Sequence, residues 1–244
     1  MDLRAFRPWL RCLVAAAGTA CVAPGTPRST LAPRSPAAPI TTFADSFLDV
    51  LHRPARSDTG WLTDRFEATA NGYRLTAAFG IGPMVFRTTT VFFDLDMVVD
   101  SVRGWVRGLR YVEYAVTYAA RRVTGWYQSG NAEYSPRVAI AGVRPDSAFE
   151  ANAIKVLLPR LPWAVGMKRT LFEFNPISAS TQTWIITVLD EEQVTVPAGT
   201  FEAFRAELAD PAEREFVWYT RDVPHRCLKL VDVTNDWSME LIHY

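Results

Sequence analysis

From residue 65 onward, apolar and polar positions alternate with a period of two through much of the chain. Tyr73, Leu75, Ala77 and Phe79 fall in one phase, and Arg74, Thr76 and Ala78 in the other. That period belongs to a strand with one face buried and one more polar. Asn71-Gly72 stands just before this run and is a favoured two-residue hairpin pair, so 65–70 and 73–79 are expected to fold back on each other. Further strands are expected over 85–93, 105–119, 121–128, 132–141 and 167–174, the third of these followed by the turn Ser129-Gly130-Asn131. The last third, 182–244, reads as consecutive short strands: 181–190, 193–196, 200–208, 213–220, 226–233 and 236–243. Pro197 fixes φ and removes a donor, and Gly199 permits positive φ, so a tight structural turn is expected at these two residues. In the final strand Trp237, Met239, Leu241 and His243 alternate with Asp236, Ser238 and Glu240.

Two stretches carry a helical pattern instead. Over 42–52, Phe43, Phe47, Val50 and Leu51 recur at i, i+4, i+7 and i+8, with Thr42 as a cap and Pro54 as a stop. Over 145–158, Ser147 and Glu150 have the spacing of a capping box, and Pro159 and Pro162 end the run. The expected fold is mainly β: an antiparallel curved sheet, barrel or half-barrel, with one or two short helices and a helix covering an opening. A meander this long must curl, because an open apolar face is unstable in water. Its inner face is expected to be apolar, and some of the eight tryptophans could line a cavity there.

The N-terminus has a different character. Arg4, Arg7 and Arg11 precede an apolar run from Cys12 to Cys21, which fits a secretory signal and is too short for a membrane span. The run ends Gly18-Thr19-Ala20-Cys21, resembling a bacterial lipobox with Gly18 where Leu or Val is usual. Cys21 is therefore the expected lipidation site. Residues 22–40, rich in Pro, Ala, Ser and Thr, read as a flexible tether. The expected organisation is a leader over 1–21, a tether over 22–40 and a single β-rich domain over 41–244. It implies an exported protein, held to the outer membrane and facing the periplasm. Without lipid on Cys21 it would be soluble in the periplasm or secreted.

Composition narrows the chemistry. Lys plus Arg and Asp plus Glu both number 26, so no bulk charge favours nucleic acid. Only Cys227 lies beyond the leader and tether, which excludes a disulfide framework, and it reads as a small buried hydrophobe. His52, His225 and His243 form no ligand motif with Cys or acidic residues, and no metal or other cofactor is expected. Asp94 and Asp96 could form a carboxylate pair, although a solvated turn is the plainer reading. Asp190-Glu191-Glu192 reads as an exposed loop. Neither a Gly-x-Ser-x-Gly motif nor a phosphate loop is present.

One resemblance rests on several pieces together. They are the apolar run from Ser147 to Leu158 leading into Leu161-Pro162, and the turn Val194-Thr195-Val196-Pro197-Ala198-Gly199-Thr200-Phe201. Phe216-Val217-Trp218-Tyr219 and the stretch from Asp222 to Leu230 complete the set. Residues 138–244 resemble the exported bacterial domain-of-unknown-function family 3108, and 66–127 do so only in strand pattern. The resemblance implies a β-rich curved sheet or barrel in the cell envelope. It implies no established chemistry and carries over no catalytic residue.

Two functions are compatible with this pattern. The first is a non-enzymatic envelope lipoprotein whose curved sheet binds an apolar or lipid-like small molecule, or a protein partner. The second is an envelope hydrolase or polysaccharide-modifying enzyme. The second requires polar groups converging in the hollow, with Asp94, Asp96 and His243 as the candidates.

Overall fold

The computed structural model describes residues 40–51, 59–107, 111–130 and 135–244. Cys21 and, apart from Ile40, the segment read as a tether lie outside the described residues. Fifteen strands make one sheet: β1 (Phe43–Leu51), β2 (Thr59–Thr69), β3 (Gly72–Ile81), β4 (Met84–Phe93), β5 (Val99–Arg107), β6 (Tyr111–Ala119), β7 (Arg122–Gly130), β8 (Val138–Val143), β9 (Ala148–Glu150), β10 (Lys168–Asn175), β11 (Ser180–Val196), β12 (Gly199–Ala209), β13 (Arg214–Thr220), β14 (Cys227–Asp232) and β15 (Trp237–His243).

The topology follows from one central strand. β1 pairs antiparallel with β2 on one side and with β15 on the other. From β1 the chain meanders outward to β8 at one edge, restarts at β9 on the opposite edge, and meanders back to β15. Only the β9–β10 pair is parallel. Residues 144–147 alone connect the two edges, and a link this short reaches at most ~18 Å. The sheet must therefore curl until its edges approach one another. It remains open, since β8 and β9 are not paired with each other. The link is held at both ends, where Arg144 donates its backbone N–H to Arg121 O and Ala148 to Pro145 O.

A short helical segment fills the curl. It comprises a 3-10 turn at Ala151–Ala153, α1 (Ile154–Leu157) and a second 3-10 turn at Leu158–Arg160. Ile154 and Leu158 pack into an apolar cluster with Trp184, Ile186, Leu208, Val217, Leu230 and Met239. Ala153 and Val156 pack into a second cluster with Phe66, Leu75, Val91, Val102 and Val116. The segment thus joins the cores beneath the two halves of the sheet.

The mainly β, curved antiparallel architecture agrees with the alternation in the sequence, and four local expectations need correction. The single strand expected over 105–119 is the end of β5 and the whole of β6, which pair antiparallel with Trp105 opposite Glu113. Within the run at 42–52, Phe43–Leu51 is strand β1 and not a helix, and residue 52 lies outside the described residues. Phe43 and Phe47 share a face at a spacing of four in a strand as well as in a helix, and pairing on both sides decides in favour of the strand. The helix expected over 145–158 shrinks to a few residues, because Ala148–Glu150 pairs with Phe172–Phe174 of β10. Glu150 is itself the cap, its carboxylate accepting from the backbone N–H and the side-chain amide of Asn152, both at 2.8 Å. Asp190-Glu191-Glu192 is no loop: it lies within the long strand β11, where a bulge after Val188 precedes the pairing of Asp190 with Arg205. The chain reverses between Val196 and Gly199, which pair across the turn, and Gly199 has φ +137°.

Candidate functional site

On β1 the inward phase is Phe43, Asp45, Phe47, and on β2 it is Leu62, Asp64, Phe66. Antiparallel register sets Phe43 against Phe66, Asp45 against Asp64 and Phe47 against Leu62. Both aspartates are buried. Like charges directly opposite one another on a sheet repel, so each needs its own cation. Lys155 of α1 supplies one, its Nζ donating to Asp64 Oδ1 at 2.6 Å and Oδ2 at 2.7 Å. Those two side chains are 10% and 5% exposed. Arg226, just before β14, supplies the other, donating from Nη1 to Asp45 Oδ1 at 2.8 Å.

The surroundings tune these groups. Burial pushes the Asp45 carboxyl up to about 6, against the pull of Arg226 and with help from the charge on Asp64. Burial lowers Lys155, and Asp64 opposes that shift. Tyr219 and Cys227 face each other across β13 and β14 and share a side-chain hydrogen bond. Burial raises both, Cys227 to about 12, so the thiol keeps its proton and is a poor nucleophile. His225 donates from Nδ1 to Thr220 O at 2.7 Å, and its ring lies near those of Trp163 and Phe204. Trp163 in turn stacks with Phe204, lies close to Tyr219 and donates from its indole to Leu158 O.

The two aspartates, their cations, Tyr219, Cys227 and His225, together with buried Glu215, line a cavity of about 90 Å³ inside the curl. Its apolar wall includes Phe43, Phe47, Phe66, Val217, Leu230 and Met239. Lining residues that are also exposed, Thr41 and Pro224, mark its opening. The expectation of a purely apolar hollow is thereby corrected: apolar walls surround a layer of paired charges. The carboxylates foreseen for a catalytic site are not in it. Asp94 closes the turn between β4 and β5 by accepting the backbone N–H groups of Asp96 and Val98, and Asp96 and His243 are exposed. Among the described residues no group of three or more His, Cys, Asp or Glu is placed to hold a metal ion.

The sequence held a signal for the residues that do converge. Asp45 and Asp64 each interrupt an apolar phase, between Phe43 and Phe47 and between Leu62 and Phe66. A helical reading of 42–52 passes over Asp45, and a strand begun at Arg65 leaves Asp64 outside. Lys155 lies in an otherwise apolar run, Ile154 to Leu158, and its partner is distant in sequence.

Residues 71–237 match the family described as protein of unknown function, DUF3108. No curated protein matches the chain. Among solved structures, a β-barrel-like protein of the domain of unknown function DUF1849 from Brucella abortus is similar, with TM-score 0.52 and 13% identity over 84% of this chain and 96% of that one. That likeness concerns the fold alone. A protein from Parabacteroides distasonis, provisionally described as a lipoprotein, covers the same shares at 10% identity, and its TM-score of 0.31 carries no argument.

Proposed function

This chain belongs to the family of proteins of unknown function DUF3108, and we propose that it is a non-enzymatic envelope protein that binds a lipid-like molecule inside its curled sheet. The observation that carries this reading is the cavity itself, walled by Phe43, Phe66, Val217, Leu230 and Met239 and open at Thr41 and Pro224. Burying a tail there gains roughly 25 cal/mol per Å² of apolar surface. At about 90 Å³ the space is smaller than the ~150 Å³ cavity known to hold benzene, so it takes only a short length of a single tail and not a bulky or multi-tailed lipid. The charged layer argues against catalysis: Asp64 is clamped through both oxygens by Lys155, Asp45 is held by Arg226, and Cys227 stays protonated. No catalytic family is indicated by the likenesses.

The anchor belongs to the same proposal. A lipid on Cys21, a tether over 22–40 and a domain over 41–244 would hold the cavity near a membrane surface in the periplasm. Among the described residues no helix is long and apolar enough to cross a membrane. Metabolic labelling with a radioactive fatty acid tests the anchor: label is expected on the parent chain and absent from Cys21→Ser. Equal label on both, or none on the parent, removes the anchor and leaves the cavity reading standing. Titration with a fluorescent acyl probe tests the cavity, and a signal that rises without saturating counts against it.

A further inference from the structure

Among the described residues, the cavity lining includes a cation that the paired layer does not use, Arg160. Lys155 is held by Asp64 and Arg226 by Asp45. Arg160 ends the 3-10 turn Leu158–Arg160 and also lines the cavity, as does its chain neighbour Pro159. Its Nε is buried and meets no hydrogen-bond acceptor. A guanidinium nitrogen removed from water and left without an acceptor costs free energy, which an anionic oxygen brought to it would offset. Planar guanidinium is also the group best suited to grip a carboxylate or phosphate through two parallel hydrogen bonds.

Resting on the lipid-like reading above, we infer that the bound molecule is a single-chain amphiphile with an anionic head, the head set against Arg160 and the tail among Phe43, Phe66, Leu230 and Met239. Three features of the site support this polarity. Three carboxylates line the cavity, Asp45, Asp64 and Glu215, and the two that stand opposite each other, Asp45 and Asp64, are each neutralised by a direct partner. Arg160 is itself only half-buried, so a hydrated head set against it can stay partly wet. Phe43, Phe66, Leu230 and Met239 give an aromatic and aliphatic wall, which suits a tail. A carboxylate-headed and a phosphate-headed amphiphile share the required chemistry.

The test uses the full chain carrying Cys21→Ser, so that no acyl group of its own competes. Calorimetric titrations with decanoate, decyl phosphate, decanol and inorganic phosphate separate the possibilities. Decanoate or decyl phosphate is expected to bind, the tighter of the two identifying the head; decanol is expected to bind at least about ten-fold more weakly, and inorganic phosphate not measurably. Arg160→Gln is expected to abolish the preference for the anion while leaving decanol binding unchanged, which also shows that the cavity is intact. Arg160→Lys, which keeps the charge but loses the planar fork, is expected to fall between. Decanol binding as tightly as the anions, or an anion preference that survives both substitutions, overturns the head assignment but not the lipid-like reading. Inorganic phosphate binding as well as decyl phosphate overturns the amphiphile, and failure of all three decyl compounds removes the lipid-like reading as well.

Discussion

Asp45 and Asp64 stand directly opposite each other on β1 and β2, two buried carboxylates facing one cavity. The arrangement holds because cations come from two other parts of the chain. Lys155 arrives from the helical segment that fills the curl, and Arg226 from the start of β14. The charged layer therefore ties the central strand to the plug and to the C-terminal half of the sheet.

Removing one partner of such a pair leaves an uncompensated buried charge. Lys155→Met is expected to lower unfolding stability by about 3–5 kcal/mol, and adding Asp64→Asn in the same chain to restore much of it. Urea unfolding of the parent, both single variants and the double variant gives the coupling. A Lys155→Met chain within ~1 kcal/mol of the parent, or a double variant no better than the single, would show that the pair does not hold the plug.

The pH dependence follows from the two carboxyl groups that burial raises. Glu150 is pushed to about 7 from an ordinary 4.5, and Asp45 to about 6 from 3.8. Each binds its proton more tightly folded than unfolded. The stability linked to that proton is complete below about pH 4 and is lost as pH rises through about 6 and then 7. Between pH 5 and pH 8 the protein is expected to lose on the order of a few kcal/mol from these groups. Urea midpoints at the two pH values check this. Glu150→Gln should reduce the difference, and a variant whose midpoints shift as much as the parent's contradicts the role given to Glu150.

How much of this was legible beforehand depended on whether the signal was local. Hairpins such as 65–70 with 73–79 announce themselves through alternation and Asn71-Gly72, and the structure pairs Thr69 with Gly72 across that turn. Strand β1 is ambiguous in sequence because Phe43 and Phe47 satisfy either periodicity, and its pairing with β2 on one side and with β15, nearly two hundred residues away, on the other resolves the ambiguity. The site is harder still. Lys155 and Asp64 meet across 91 positions, and Arg226 and Asp45 across 181. Nothing near any of the four names its partner, although an acid standing in an apolar phase does mark a position that must find one.

The Asn71-Gly72 turn has no room for a side chain at its second residue. Gly72 has φ +146°, and a Cβ there would lie 2.0 Å from Phe93 O and 2.9 Å from the backbone of Asp94. Gly72→Ala is expected to destabilise the protein by at least ~1–2 kcal/mol through both strain and clash. Asn71→Ala, beside it, should cost less. Thermal unfolding of the two variants gives the comparison, and the reverse order would show that β3 and β4 are less closely packed than described.

Cys227 should be chemically quiet. Burial raises its thiol to about 12, and the charges on Asp45 and Asp64 reinforce the protonated form against the opposing pull of Lys155 and Tyr219. In a full chain with Cys12→Ser and Cys21→Ser, an aromatic disulfide reagent at pH 8 is expected to react at least a hundred-fold more slowly with folded than with urea-unfolded protein. Comparable rates would identify Cys227 as an accessible thiolate and reopen the question of covalent chemistry in the cavity.

The most direct test of the central claim is saturable binding inside the curl. Fluorescence titration of a short acyl probe into the full chain carrying Cys21→Ser should saturate at one molecule per chain. It should lose that site when Val217, on the cavity wall, is replaced by Trp to fill the space. A signal that never saturates, or one that is the same for Val217→Trp, would contradict the account.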